Sequence, residues 1–361
     1  MNKSWLALAI AAGLLTGCNS NNDNSVTPSA PQAVLSGTAV KGVLSNASVV
    51  ACLATSVECR TATFADFDNA PATGQLGSVA TTQADGSYSL TLPESAHDRA
   101  VLVRMFATSQ TTEVCDYTGC TGAAGELEGL ELSTVTLVEE PTSKNQTTSA
   151  PVTALSTMAA QTFIDTVSLP TGAVDPTTFS QAQQVVSKAV TQALGLSADA
   201  QNLNLFETTL PSATATDLGS NTSSVLTELS LVNASFGTVL QTGTDSLSQF
   251  ADNVSTVVQS SQSGSTVDAT DALNSLANDM ASLNTEIQSN VTELTTGDNA
   301  IDIPTETVPT LPEDADDIKN GIDEVEIPDV EDKEPDNGGT GGTGGTGGSG
   351  GSGGSSGGTG N

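Results

Sequence analysis

The chain has 361 residues, and 42 Asp and Glu against 9 Lys and Arg leave a formal net charge of -33 at neutral pH. That balance excludes a nucleic-acid partner, because scattered cations cannot neutralise a run of phosphates. A single tryptophan, Trp5, and a single histidine, His97, leave little material for aromatic sugar platforms or for histidine-based catalysis.

The N-terminus carries Lys3, then an apolar run over residues 6–15, then the small residues Thr16 and Gly17. A positive end, a hydrophobic region and a small-residue cleavage site predict a secretory signal peptide over 1–17. Ten apolar residues are too few to span a bilayer, which needs about 20. Leu15-Thr16-Gly17-Cys18 resembles the bacterial lipobox, whose cysteine is diacylated on sulfur and, after cleavage before it, acylated on the new amine. The resemblance implies a lipid on Cys18 and attachment to a membrane, since two or three chains exceed the marginal single-chain case at about 0.8 kcal/mol per buried CH₂. In lipoprotein sorting an aspartate after the cysteine signals inner-membrane retention, and Asn19 stands here instead, which implies the outer membrane. Residues 18–32 then read as a flexible tether, reaching roughly 20 Å as a coil.

From residue 33 to about 140 the apolar residues alternate: Val34, Gly37 and Ala39, then Val43, then Ala47, Val49 and Ala51, later Tyr88, Leu90 and Leu92. Period two predicts strands with one buried face. Gln83-Ala84-Asp85-Gly86 lies between residues 79–82 and 87–92, and Asp-Gly, tolerant of positive φ, predicts a hairpin. Two stretches, Gly37-Thr38-Ala39-Val40-Lys41-Gly42-Val43-Leu44-Ser45-Asn46-Ala47-Ser48-Val49-Val50 and Thr82-Gln83-Ala84-Asp85-Gly86-Ser87-Tyr88-Ser89-Leu90-Thr91-Leu92, resemble the carboxypeptidase regulatory-like family. The resemblance implies a small transthyretin-like antiparallel β-sandwich over 33–140, with two strands and a turn from the first stretch and the Asp-Gly hairpin from the second. Members of that family are structural or binding modules and are not themselves catalytic. This chain departs from them by an insertion over residues 59–77.

Setting Cys18 aside leaves Cys52, Cys59, Cys115 and Cys120, an even set in a chain expected to be exported. Disulfides are then expected in an oxidising compartment. Of the three connectivities, the short-range pairs need the least chain rearrangement, and each would contribute roughly 2–2.5 kcal/mol by loop closure. Zinc is the competing reading, but the pairs lack C-x₂-C spacing. Asp66, Asp68 and Asn69 in the insertion supply closely spaced oxygen ligands for calcium, which Asp85 or Asp116 could complete. Without a Gly at the sixth position or a Glu at the twelfth this is no EF-hand, and the competing reading is a solvated acidic loop. No other cofactor is expected.

Over residues 148–297 the apolar spacing turns helical, and five amphipathic helices are expected. One stripe comprises Leu155, Met158, Ala159 and Phe163, and the next runs Phe179, Ala182, Val186, Ala189, Val190 and Ala193, with Pro176 near its start and Gly195 just past its end. Further stripes run Leu226, Leu229, Val232 and Phe236; Leu247, Phe250, Val254 and Val257; and Leu273, Leu276, Met280, Leu283 and Ile287. The last has coiled-coil spacing but no regular flanking charges, so packing within one bundle is the preferred reading.

Residues 298–337 hold 15 acids, 2 lysines and 5 prolines, a composition that predicts disorder. Residues 338–361, Gly with Ser and Thr, predict a flexible tail in which a chance G-x-S-x-G match at Ser349 lacks strand and helix. The expected fold class is thus α+β by separate domains: an antiparallel β-sandwich, an all-α domain, and a disordered acidic and Gly-rich tail. His97, beside Asp98, has no nucleophile in recognisable context, and no phosphate loop lies between a strand and a helix, so no enzyme is expected. The function expected is a structural, adhesive or assembly lipoprotein of the cell envelope. Glycan binding is the alternative, weakened by the departure of Trp5 with the signal peptide.

Overall fold

The computed structural model describes residues 32–143, 146–221, 223–242, 247–296 and 298–334. Strand β1 (Ala33–Val40) is paired along both edges. Its first part runs antiparallel to β5 (Ser87–Leu92), with Leu35 opposite Leu90, and parallel to β9 (Gln146–Ser149), with Leu35 opposite Thr148. Its last two residues pair with β10 (Val152–Thr153) in parallel, and Val40 pairs with Val43 of β2 (Val43–Ser45) across a tight turn. The remaining strands are β3 (Ser48–Leu53), β4 (Gln75–Thr81), β6 (Arg99–Phe106), β7 (Thr112–Val114) and β8 (Glu131–Val138). The ladder order is β4-β3-β6-β8-β10-β1-β2-β7, and this mixed sheet curls as a half-barrel. Two short helices, α1 (Val57–Thr61) and α2 (Phe64–Asn69), fill the insertion between β3 and β4.

The expected antiparallel sandwich followed by a separate all-α domain is therefore overturned. Parallel pairing of β9 and β10 with β1 draws the beginning of the supposed helical domain into the sheet. Helix α3 (Ala154–Thr166) grows directly out of β10, with Thr153 as its N-cap, and the Ser156 hydroxyl donates to the Ser133 carbonyl on β8 at 2.7 Å. One large hydrophobic cluster then runs from Ala33 through Phe163, Phe236 and Leu283 to Val330, with a small second one around Leu218, Leu231 and Leu294. The hairpin is also corrected. The Asp-Gly turn forms, with Gly86 at φ +74, but β4 pairs with β3 and β5 with β1, so the two strands around it enter different ladders.

The helices lie where the stripes are. Helix α4 (Pro176–Ala193) starts on the Asp175 side chain and Pro176, and ends in a Schellman motif in which Leu196 N–H donates to Thr191 O and Gly195, at φ +64, to Gln192 O. After α5 (Ala215–Ser220), helices α6 (Ser224–Thr242), α7 (Leu247–Ser260) and α8 (Thr270–Thr295) complete the layer. Edge-on ring pairs join them: Phe163 meets Phe179 at 5.3 Å, and Phe236 meets Phe250 at 5.1 Å. The stripe on α8 packs within the chain, against α6, α7 and a short helix α9 (Ala315–Gly321).

The acidic segment is a second correction. Residues 298–334 form an ordered strap, because Leu311, Ile318, Ile322, Val325 and Val330 each insert into the core while the acids between them face out. Polar contacts fix its course: Asn284 on α8 pairs with both backbone groups of Leu311, and Asp175 N–H donates to Glu331 O at 2.9 Å. The Gly-rich residues 338–361 lie outside the described residues.

A shared core has a direct consequence for unfolding. Near-ultraviolet signals from Tyr88 and Tyr117 on the sheet side should lose structure in the same urea transition as far-ultraviolet helix signal, and two separated transitions would contradict one core. Ile318→Ala, at a fully buried site, should lower stability by about 2–5 kcal/mol, whereas a disordered segment would leave it unchanged.

Candidate functional site

A lysine is almost never fully buried unless it is paired, yet Lys41, in the turn between β1 and β2, has no exposed surface. The turn is possible because Gly42 takes φ +59, and a Cβ there would sit 2.2 Å from the Val114 carbonyl on β7. Strand β7 pairs with β2 and leads straight into Asp116. Asp116 Oδ1 lies 3.3 Å from Lys41 Nζ, and Oδ2 accepts the Gly42 N–H at 2.5 Å, so one carboxylate holds both the side chain and the backbone of the turn. Helix α6 closes the site from above. The Ala234 carbonyl accepts a second Lys41 proton at 3.0 Å, and the Tyr117 ring centroid lies 4.3 Å from Nζ. Gly237 on the same helix leaves the room required, since a Cβ there would come within 2.6 Å of Nζ and 2.4 Å of the Tyr117 ring.

Glu113, on β7, forms the other side. Its Oε1 accepts the Tyr117 hydroxyl proton at 3.0 Å and touches Cys120 Sγ at 3.1 Å, while Oε2 is buried with no hydrogen-bond partner. Burial pushes the Glu113 carboxyl up to about 7; Lys41 pulls it back, as does the Tyr117 hydrogen bond, and the charges of Asp116 and Glu126 push it further up. The Tyr117 hydroxyl is raised by burial first and by the neighbouring Glu113 charge second. A disulfide between Cys115 and Cys120, with Cα atoms 5.5 Å apart, closes the loop that carries Asp116 and Tyr117. Outside this loop a cleft of about 400 Å³ opens towards α5 and the end of α8, lined by Asp116, Tyr117, Asn290, Glu293 and Asp298. Asn290 Oδ1 accepts from Thr118 N–H at 2.9 Å, while its buried Nδ2 has no partner.

The second disulfide joins Cys52 and Cys59, Cα atoms 5.7 Å apart, so both short-range pairs form. Cys18 lies outside the described residues. In the insertion, Asp66 spends its carboxylate capping α2, accepting from Thr63 N–H and Oγ1 at 2.7 Å each, and these bonds lower its pKa. The side chains of Asp68 and Asn69 also lie outside what is described. Asp85 caps its own turn through Ser87, and Asp116 is taken by Lys41, so neither joins Asp66. A different group, Glu113, Cys120 and Glu126, brings ligand atoms within 4.8 Å of one another, but Cys120 sulfur is already bonded to Cys115, which leaves two carboxylates. His97 is a half-buried cap residue after a 3₁₀ turn, and the Asp98 carboxylate beside it pairs with Lys333 at 3.0 Å.

Of the buried cluster, sequence patterns marked only Asp116, and that as a calcium ligand beside Asp66 rather than as the partner of Lys41. Lys41 stands 75 positions from Asp116 and 193 from Ala234, and in an alternating strand a lysine reads as solvent-facing. The one local signal is its place in Ala39-Val40-Lys41-Gly42-Val43, a charged residue just before a glycine in an otherwise apolar run. No protein-family model matches the chain, and no curated protein matches it in sequence.

The perturbed carboxyl makes stability depend on pH. Glu113 holds its proton more tightly folded than unfolded, so its contribution is complete below its ordinary value of 4.5 and is lost as pH rises through about 7. The groups facing it are Lys41, Asp116, Tyr117 and Glu126. Glu113→Gln should therefore have a urea midpoint that falls less across that window than that of wild type. Parallel profiles for the two proteins would show that Glu113 carries no such linkage.

Proposed function

We propose that this chain is a non-catalytic lipoprotein of the cell envelope, held at the outer membrane by acylated Cys18 and serving as a structural, adhesive or assembly module. The observation that carries this reading is Leu15-Thr16-Gly17-Cys18 behind a short apolar run, with Asn19 after it. Two disulfides suit a compartment where thiols are oxidised. Among the described residues no helix is long and apolar enough to cross a membrane, so in this reading the lipid is the anchor. The polar groups at the buried cluster are committed to one another: Lys41 to Asp116 and Ala234, and Tyr117 to Glu113. That is the use expected of groups that lock a scaffold.

Glycan binding stands as the second reading, favoured by the cleft beside Tyr117. Its Glu293 and Asp298 carboxylates could accept from sugar hydroxyls, and the Asn290 amide could donate. A glycan array with the soluble domain separates the two, since reproducible binding abolished by Asn290→Ala would promote the cleft.

The anchor is tested by mass spectrometry of the N-terminal peptide and by fractionation. Wild type should carry acyl mass on Cys18 and sediment with outer membranes, while Cys18→Ser should appear in the soluble periplasmic fraction. An unmodified thiol on Cys18 in the mature chain would refute the proposal.

A further inference from the structure

The lysine cluster contains what an amide condensation needs. An amine nitrogen, Lys41 Nζ, stands 3.3 Å from an oxygen of the Asp116 carboxyl, and both side chains are shut away from solvent. The Gly42 N–H already donates to the other oxygen, Oδ2, at 2.5 Å, and so polarises the carboxyl as an electrophile. A second carboxyl, Glu113, reaches the same spot: its partnerless Oε2 lies 3.3 Å from where a Cβ on Gly42 would be. An ammonium and a carboxylate in one dry site, beside a second carboxyl that burial keeps protonated, are costly, and a step that removes both charges is favoured there.

We propose that Lys41 and Asp116 join in an intramolecular isopeptide bond, with Glu113 as the proton carrier. The ammonium first passes a proton to the Asp116 carboxylate, which yields a free amine and a neutral acid. The Nζ lone pair attacks Cγ, and the new C–N bond forms as the carbonyl electrons move onto Oδ2, towards the Gly42 N–H. Protonated Glu113 then gives its proton to the departing hydroxyl. The C–Oδ1 bond breaks, water leaves, and Glu113 recovers a proton from the nitrogen. An ammonium and a carboxylate become one amide and one water, with Glu113 unchanged and no oxidant or cofactor consumed. Asp116 lines the adjacent cleft, which provides the exit for that water.

The surroundings fit the product as well as the reactants. An amide at this position has one N–H and one carbonyl to satisfy; the Ala234 carbonyl is placed for the first and the Gly42 N–H for the second. Gly237 keeps α6 close enough for that Ala234 contact, although a glycine inside a helix costs about 1 kcal/mol relative to alanine. The bond would tie the β1–β2 turn to the loop after β7 across 75 residues, a far longer closure than the two disulfides span. It does not depend on lipidation of Cys18, and its test reads neither acylation nor location.

The test is intact mass of the folded chain lacking residues 1–18, after reduction and alkylation of the four remaining cysteines. Wild type should be lighter than its sequence mass by one water, and digestion should release a branched peptide joining Lys41 to Asp116. Lys41→Arg and Asp116→Ala should each show the full sequence mass. Glu113→Gln, checked for folding by circular dichroism, should retain most of the full mass, which separates proton transfer from mere proximity. A folded wild-type chain at full sequence mass, with Lys41 recovered as an unbranched residue, would overturn the proposal and leave the pair as a buried salt bridge. Equal loss of water from folded Glu113→Gln would overturn the role of Glu113.

Discussion

The structure depends on one constraint, that a strand buried at the centre of the core must have its backbone groups paired on both sides. Strand β1 meets it with four partners, β2 directly after it and β5, β9 and β10 from widely separated parts of the chain. An unpaired N–H or carbonyl there would cost as much as a lost hydrogen bond in a dry environment. The chain therefore has to return to β1 after leaving β8, and it does so through two short parallel strands. Tyr88 reinforces the return: its buried hydroxyl donates to the Ala150 carbonyl, in the link between β9 and β10. Gly37 makes that approach possible, for a Cβ there would lie 2.1 Å from the Ala150 oxygen.

Once β10 is in place, helix α3 starts at the sheet and the helical layer has nowhere to pack but on it. A few specific polar contacts cross the otherwise apolar sheet–helix interface. Asn233 on α6 donates to the Val40 carbonyl at 3.0 Å and accepts from Ala154 N–H at 2.9 Å, which clamps α6 to the end of β1 and the start of α3. Gln183 on α4 donates to the Val135 carbonyl on β8 at 2.8 Å. Removing either side chain would strand a buried backbone carbonyl, at about 1–3 kcal/mol, while also opening a gap. The same clamp explains the lysine cluster. With α6 pinned over the end of β1, the residue that follows Val40 is covered, and a lysine there can persist only with Asp116, Ala234 and Tyr117 around it.

Local physics was legible in the sequence, and long-range pairing was not. Alternation marked β1, β3 and β5, the three-and-four spacing marked the long helices, and Pro176 and Gly195 marked the ends of α4 because capping geometry involves only neighbouring residues. The pairs Cys52–Cys59 and Cys115–Cys120 followed from short spacing. Strands β9 and β10 left no periodic trace, being four and two residues long and mostly Thr, Ser and Gln. The Asp-Gly turn announced a reversal but could not say which ladder each arm would join. Composition predicts disorder for the acidic strap because it averages over a window, whereas Leu311 and Ile318 act singly, each buried in the core, and the Asn284 side chain holds both backbone groups of Leu311. The buried cluster was invisible because Lys41, Glu113 and Asp116 acquire their chemistry only from one another and from α6.

So acidic a chain has few cations to place, and the described ion pairs put them at junctions. Lys41 links the β1–β2 turn to the disulfide loop, and Arg104 on β6 links Glu131 on β8 to the Cys59 and Ala62 carbonyls beside α1. Lys188 on α4 meets Asp323 of the strap at 3.1 Å, and Lys333 at the end of the strap meets Asp98 at the start of β6. The two kinds of junction differ in energy. Lys41 and Arg104 are buried, so stripping either of its partners would leave an uncompensated charge in the core. The Lys188–Asp323 pair is solvated, worth at most about 1 kcal/mol and weakened by salt, and the Lys333–Asp98 pair is only partly buried. Apolar anchors therefore hold the strap in place, and its ion pairs choose the line along which it lies. That division lets a segment with a surplus of negative charge remain folded, since each acid it carries can face water while one aliphatic side chain per turn of the path does the binding.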